Sequence, residues 1–284
     1  MREALRSFRV ATWLGWQIES NWTDPFLFFV YSIVKPVASV MILVIMYWVI
    51  TRTDTTSPYF AYMYLGNAAY IYVGSILVGV SWAVIDDREH YQTLKYIYVS
   101  PIKFYFYLLG RGMARFLTGS LSVAITMGFG LLVLGLPIGL GAIHWPYLGA
   151  SMVLGLASLA VLGLLLGAAT LQMARHYWSV GESVAGALYL MCGAIFPLDV
   201  LPAWLRPLGF ALPLTYWLES LRRAVLGAEA SRAISPSLAG LSDGQLLLIL
   251  LVATLISSVM SIYFFRWSEH RAREKGLIDM TTHY

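Results

Sequence analysis

Six long apolar runs constrain the fold of this chain more than any other feature. A helix that crosses a bilayer needs about 20 mostly apolar residues, and six segments of the 284-residue sequence meet that requirement. They are residues 26–50, 61–85, 116–136, 146–171, 177–196 and 245–265. Only 12% of the residues are charged, whereas a soluble domain is about 25% charged. The sequence therefore predicts an all-α integral membrane protein with six transmembrane helices.

The lysines and arginines predict how these helices are oriented. With a cytoplasmic N-terminus, thirteen basic residues fall on the cytoplasmic side and five on the outer side, while Lys35 lies inside a span. Basic residues concentrate in the cytoplasmic loops of multi-pass proteins. We therefore expect a multi-pass protein of the inner (cytoplasmic) cell membrane with both termini in the cytoplasm.

The first 22 residues predict an amphipathic helix that lies in the cytoplasmic headgroup plane. Arg2, Arg6 and Arg9 share one arc of the helical wheel, and apolar side chains occupy most of the rest. A basic leader that only sets the topology is the alternative. The segment lacks the apolar core and small-residue cleavage site of a secretory signal.

The sequence shows no motif for catalysis or for a cofactor. It contains no Gly-x-x-x-x-Gly-Lys-Ser/Thr phosphate loop, so the chain is not expected to hydrolyse ATP by itself. Its single cysteine, Cys192, and its five scattered histidines predict neither a disulfide nor a metal site. We expect a chain that is not an enzyme, holds no cofactor or metal, and binds no nucleic acid.

Residues 197–227 are apolar, but four prolines prevent them from forming one continuous helix. They predict a re-entrant hairpin of two short helices, about 202–210 and 213–226, that dips into the outer leaflet and returns. The carboxylate of Glu219 has arginines at the i+3 and i+4 positions, the spacing of a helical ion pair. These charges either anchor the hairpin at the headgroups or belong to an outer gate. The gate candidates are Phe196, Pro197, Pro202, Pro213, Glu219, Arg222 and Arg223.

Polar groups inside a membrane are costly and are therefore candidates for function. The candidates for a transport pathway are polar or aromatic side chains in the predicted spans: Asn67, Tyr62, Tyr70 and Glu182. Three alternatives remain open for them. The tyrosines would suit an interfacial aromatic belt, Asn67 an interhelical hydrogen bond, and Glu182 an ion pair with Arg175 or His176.

A dense group of charges separates the second and third predicted spans. Residues 88–99 predict a short cytoplasmic helix with one aromatic and one charged face, which ends before Ser100-Pro101 because a residue preceding proline disfavours the helical conformation. Such a helix would dock on another protein. A solvated loop whose charges only satisfy the topology is the alternative.

The order of residues in this stretch resembles the coupling segment of the ABC-2 family of ABC transporter permeases. There an acidic and basic cluster precedes Thr-Leu, then Ser/Thr-Pro, then an arginine near the next span. This sequence has Asp86, Arg88 and Glu89, then Thr93-Leu94, Ser100-Pro101 and Arg111. The family commonly has glycine before the threonine, where this chain has Gln92. The region before the last span is similar to the family as well, in Phe196-Pro197, Leu201-Pro202, Trp204, Pro213-Leu214-Thr215, Arg222 and Gly227.

The resemblance implies an ABC-2 type transmembrane domain over residues 23–284, with residues 88–99 as a coupling helix on a separate ATPase subunit. The coupling residues would be Asp86, Arg88, Glu89, Tyr91, Thr93, Leu94, Lys95, Ser100 and Pro101. Two copies of that ATPase would bind ATP and Mg²⁺. A second permease subunit, identical or different, would complete the transporter in the bilayer.

The function that follows is ATP-driven export of an amphipathic or lipid-linked substrate, such as a drug, a lipid or a glycolipid. Three alternatives remain. The first is export of a long-chain polysaccharide of the O-antigen or teichoic-acid type. The second, from a different class, is ion-coupled transport without an ATPase, and the third is a membrane scaffold without transport.

Overall fold

The computed structural model of the protein describes residues 2–20, 26, 30–52, 56–173 and 177–277, and every regular element within these ranges is helical. The all-α prediction is confirmed for this part of the chain. The α-helices are α1 Arg2–Ser20, α2 Lys35–Thr51, α3 Pro58–His90, α4 Leu94–Val99, α5 Phe104–Leu132, α6 Trp145–Leu171, α7 Tyr177–Met191, α8 Arg206–Ala211, α9 Pro213–Leu226, α10 Ala228–Ile234, α11 Pro236–Ala239 and α12 Asp243–Glu274.

Four of these helices, α3, α5, α6 and α12, are long and apolar enough to cross a bilayer. The helices α2 and α7 have 17 and 15 residues, fewer than the roughly 20 of a typical span. A π-helical turn, Val30–Val34, precedes α2, and residues 27–29 of the first predicted span lie outside the described ranges. The described residues thus support four of the six predicted spans, and the count of six is not confirmed.

The long helices extend beyond the apolar runs that predicted them. Helix α3 continues to His90 rather than ending at residue 85, and α12 continues to Glu274 rather than 265. Helix α5 begins at Phe104 rather than at residue 116. Hydropathy marks only the apolar part of a helix, whereas its backbone hydrogen bonds continue through charged residues.

Helix α3 is the central element of the fold. In its most apolar stretch 72% of the residues are buried, against 22% in that of α12. The middle of α3 is a π-helical turn, Val73–Val78, in which one extra residue per turn shifts the faces of the helix. Val73, Ile76 and Leu77 from this turn pack with Trp217 of α9 in the main apolar core, which α6, α7 and α12 complete.

Helices α6 and α9 are in close contact where Gly155 faces Trp217. The indole of Trp217 is fully buried, and a Cβ atom at Gly155 would overlap it. Small residues allow membrane helices to approach closely without a hydrophobic driving force between them. Gly155 therefore sets the distance between α6 and the segment before the last span.

Helix α1, which lies within the segment predicted to be amphipathic, packs along α5. Ala11 and Gly15 are buried in this contact, and a Cβ at Gly110 of α5 would meet α1. Glu19 and Arg115 pair across it at 2.8 Å. Burial raises the pKa of Glu19 above its ordinary value, and Arg115 opposes that rise. The location of α1 in the headgroup plane stays a prediction.

Candidate functional site

The charged cytoplasmic end of α3 reverses direction before α4 begins. Its last turn, Asp86–His90, is π-helical, and Gln92 has φ 51°. The amide of Thr93 donates to the carbonyl of Asp87 at 2.8 Å and closes the reversal. The predicted helix 88–99 is thus divided, since residues 88–90 end α3 and only Leu94–Val99 form α4. The left-handed conformation of Gln92 favours glycine, the residue that ABC-2 permeases commonly have there.

Some charged side chains in the segment predicted to dock on a partner form contacts within this chain instead. Asp87 and Arg88 are 1% and 3% exposed. Arg111 of α5 donates to Asp87 Oδ1 at 3.0 Å and to the Tyr107 hydroxyl at 3.1 Å. Arg88 donates from Nε to Glu89 Oε1 at 2.9 Å. Arg88 is therefore packed against its own neighbours at the end of α3, and its contact with a partner stays a prediction.

Two apolar side chains of helix α4 pack against the neighbouring helices. Leu94 and Ile97 are buried in one apolar cluster with Phe104 of α5 and Phe265 of α12. Tyr98, half-buried beside them, has Arg273 over its ring at 5.0 Å. Burial raises the pKa of the Tyr98 phenol far above its usual value, so this hydroxyl stays neutral. Leu94 and Ile97 therefore hold α4 in direct contact with α5 and α12.

The opposite side of α4 and the residues around it face outward. Exposed side chains on this surface, which we call the α4 face, are Tyr91, Lys95, Tyr96, Val99 and Pro101. Lys95 lies 5.5 Å from the centre of the Tyr96 ring. At the two ends of this surface, Asp86 pairs with His90 at 2.9 Å and the Ser100 hydroxyl donates to the carbonyl of Ile97 at 2.7 Å.

A cleft in the membrane region brings together three of the four pathway candidates. It has a volume of about 350 Å³, within the range of small-molecule sites, and it lies among α2, α3 and α7. Asn67 and Tyr70 of α3 and Glu182 of α7 line it. Tyr62, the fourth candidate, is 3% exposed and packs elsewhere. The further lining residues are Pro36, Ser39, Val40, Ile71, Gly74, Ala185, Gly186 and Tyr189.

The wall of this cleft is stiffened by its own hydrogen bonds. Tyr189 donates to Asn67 Oδ1 at 2.6 Å, and the Tyr70 hydroxyl donates to the carbonyl of Ala185. The Tyr70 and Tyr189 rings lie 4.6 Å apart between centroids. Glu182 is the one charged residue in the described part of the lining. It is exposed, and no described residue forms an ion pair or hydrogen bond with it. Arg175 and His176, its predicted partners, lie outside the described residues.

The segment before the last span is built around Arg222. Arg222 is 2% exposed and donates from Nε to the carbonyl of Tyr62 at 3.1 Å and from Nη2 to those of Gly193 and Ala194 at 2.8 and 2.7 Å. Its guanidinium carbon lies 3.7 Å from the centre of the Tyr62 ring. Gly193 and Ala194 lie in the turn that follows α7, so Arg222 binds the carbonyls of this turn and ties it to α3. We call this arrangement the Arg222 clamp.

The predicted ion pair of this segment is present, and it is also buried. Arg223 donates from Nε to Glu219 Oε1 at 2.9 Å and from its other nitrogens to the carbonyls of Leu238 and Leu241 at 2.7 Å. A 3.1 Å contact to Asp243 links the same side chain to the start of α12. These charges hold α9 against α11 and α12 in the interior, whereas an outer gate would expose them.

The exposed part of this segment is apolar and precedes α9. Phe196 and Trp204 are 46% and 75% exposed, and Pro202 is exposed beside them, while Pro197 is half-buried. Pro213 is buried at the first position of α9, where proline suits a helix. The first arm is shorter than predicted, because α8 covers only Arg206–Ala211.

Sequence reasoning missed Tyr189 and the role of Asp87. Tyr189 lies seven residues after Glu182, on the same face of α7 as Ala185 and Gly186, and that spacing would have indicated it. Asp87 has its partner Arg111 on another helix, so no local pattern marks the pair. Among the described residues no three His, Cys, Asp or Glu side chains are grouped as metal ligands would be.

The comparison with known families covers most of these features. The model of the ABC-2 type transporter family matches residues 6–226, a range that contains the α4 face, the cleft and the Arg222 clamp. No curated protein matches the chain in sequence. Because the family match extends over more than half of the chain, the protein belongs to the ABC-2 type transporter family and is a membrane-spanning component of an ABC transporter rather than a catalytic domain.

Proposed function

We propose that this chain is the permease subunit of an ABC exporter that moves an amphipathic or lipid-linked substrate outward. A separate ATPase, present in two copies and binding ATP with Mg²⁺, docks on the α4 face and drives the cycle. Two permease subunits, identical or different, enclose the path in the inner membrane, with both termini of this chain in the cytoplasm. The substrate passes the cleft among α2, α3 and α7.

The observation that carries this proposal is the two-sided construction of α4. A six-residue helix is too short to be stable alone, yet α4 is fixed by the burial of Leu94 and Ile97. Its other side exposes Tyr96 at 67% and Val99 at 89%. Exposed aromatic and apolar side chains on a fixed support are what a protein interface uses as anchors, so the α4 face supports the docking of a partner.

The same construction supports coupling between the partner and the membrane. The apolar cluster beneath α4 contains Phe104, at the start of α5, and Phe265 of α12. Packed elements of this kind transmit small displacements, because protein interiors are close-packed. Movement of an ATPase on the α4 face would thereby reach two helices long enough to cross the bilayer.

The experiment is co-purification of the permease with the proposed ATPase subunit. We expect Tyr96→Ala combined with Lys95→Glu to reduce the amount of ATPase recovered by about tenfold or more, because truncation of a central aromatic anchor costs about 2 kcal/mol. Tyr263→Ala is the matched control, since Tyr263 is 71% exposed on α12 and is not part of the apolar cluster beneath α4. Unchanged recovery with the α4 variant, at normal amounts of membrane-inserted permease, contradicts the proposed docking.

A further inference from the structure

We propose that the cleft among α2, α3 and α7 binds an organic cation with an apolar body, and that Glu182 pairs with its positive charge. The inference rests on the proposed function in one respect: if the chain is an exporter, the bound cation is its substrate. The binding itself is a property of this chain.

The charge of the cleft sets the sign of its ligand. Among the described lining residues Glu182 is the one that carries a charge, and no described residue pairs with it. Lys35 precedes the lining residue Pro36 and is exposed, but no ion pair joins it to Glu182. A carboxylate in a membrane is costly without a compensating charge. The bound ligand can supply that charge, because the described part of the protein does not.

The aromatic wall suits the same ligand. Tyr70 and Tyr189 form a tilted pair with ring centroids 4.6 Å apart, and both belong to the lining that includes Glu182. Cations are attracted to the faces of aromatic rings within about 6 Å. The hydroxyls of these tyrosines are already engaged with Ala185 and Asn67, so the rings are held in place and their apolar surfaces remain for the body of the ligand.

The size of the cleft is compatible with a bulky group. Its volume is about 350 Å³, and Gly74 and Gly186 leave space beside the charge, since a Cβ atom at either position would contact nothing within 4 Å. Two sources can provide such a cation: a free amphipathic molecule or the amine headgroup of a lipid. Both carry a positive charge and an apolar part in one molecule.

The test measures binding to the purified full-length permease in lipid nanodiscs, without the ATPase. The probes are radiolabelled tetraphenylphosphonium and its near-isosteric anion, tetraphenylborate. We expect the wild type to prefer the phosphonium, Glu182→Gln to weaken its binding by about tenfold or more, as loss of a charge-assisted contact should, and Glu182→Asp to retain the preference. Glu229→Gln, an exposed position outside the cleft lining, is the control and should bind as the wild type does.

Equal binding of the cation and the anion, or unchanged phosphonium binding by a folded Glu182→Gln variant, would overturn the inference. Folding is checked by thermal unfolding, which this substitution should leave unaltered because the side chain is exposed and has no described partner. Nanodiscs with and without phosphatidylethanolamine separate the two sources. If this lipid competes with the phosphonium probe, the natural ligand is a headgroup amine. If it does not compete, the natural ligand is a free cation. Failure of the ATPase to co-purify would refute the proposed function and leave this binding result standing.

Discussion

The Arg222 clamp permits a prediction that separates a structural role from a gate. Replacing Arg222 by methionine keeps much of the side-chain volume but removes every donor. Two carbonyls after α7, those of Gly193 and Ala194, then lose their partner in the interior, whereas the Tyr62 carbonyl loses only its second donor because it keeps its bond within helix α3. Each buried carbonyl left without a hydrogen bond costs about 1–3 kcal/mol.

The sum is about 2–6 kcal/mol, but the contacts share one guanidinium, and such neighbouring effects are not additive. We therefore expect a loss of about 2–4 kcal/mol, the lower part of that range. For a chain of roughly this size the loss corresponds to a fall of roughly 10 °C in the unfolding temperature. The loss of the contact between the guanidinium and the Tyr62 ring acts in the same direction.

The assay is thermal unfolding of the purified permease in nanodiscs, followed by tryptophan fluorescence. Arg232→Met is the matched control: this side chain is 39% exposed, and its contact with Asp243 is 3.7 Å long, so its loss should cost less than about 1 kcal/mol. The reasoning is refuted if both variants unfold within about 2 °C of the wild type. A normal unfolding temperature together with impaired export would instead identify Arg222 as a gate residue.

Two further predictions concern packing and buried charge. Gly155→Ala should destabilise the protein by about 1–3 kcal/mol, since the new methyl group overlaps the Trp217 ring and overpacking carries that cost. Gly149→Ala is the control and should not destabilise it, because a Cβ there contacts nothing within 4 Å. Equal unfolding temperatures for the two variants would contradict the close contact. Asp87→Asn should cost about 3–5 kcal/mol because it leaves Arg111 buried without its counter-charge. The double change Asp87→Leu with Arg111→Leu should recover most of that loss in the same assay, and a double variant less stable than Asp87→Asn would show that this pair is more than a local ion pair.

Local patterns predicted the elements whose causes are local. Helix α9 begins at Pro213, as the sequence indicated, because proline suits the first helical position and an apolar stretch follows. Glu219 and Arg223 pair as their spacing predicted, because residues four apart share one face of a helix. Three of the four pathway candidates meet in one cleft, since polar side chains in apolar helices tend to face the protein interior or a cavity.

Features that depend on distant contacts escaped the sequence. The partners of Arg222 are the carbonyls of Tyr62, Gly193 and Ala194, far away in the chain, so its spacing to Glu219 suggested a pairing that the structure does not have. The break at Gln92 was missed because glutamine gives no signal for a left-handed conformation.

The double-sided α4 has a consequence for hybrid transporters. Exchanging residues 86–101 with the corresponding stretch of a relative, in order to recruit a different ATPase, would also replace Leu94 and Ile97. Their substitutes would then have to fit between Phe104 and Phe265 of the recipient, which are unchanged. A graft limited to the outward side chains, Tyr91, Lys95, Tyr96 and Val99, leaves that fit intact. In the proposed docking, partner choice and helix packing are encoded on opposite sides of one short helix, and they can be exchanged independently only along that division.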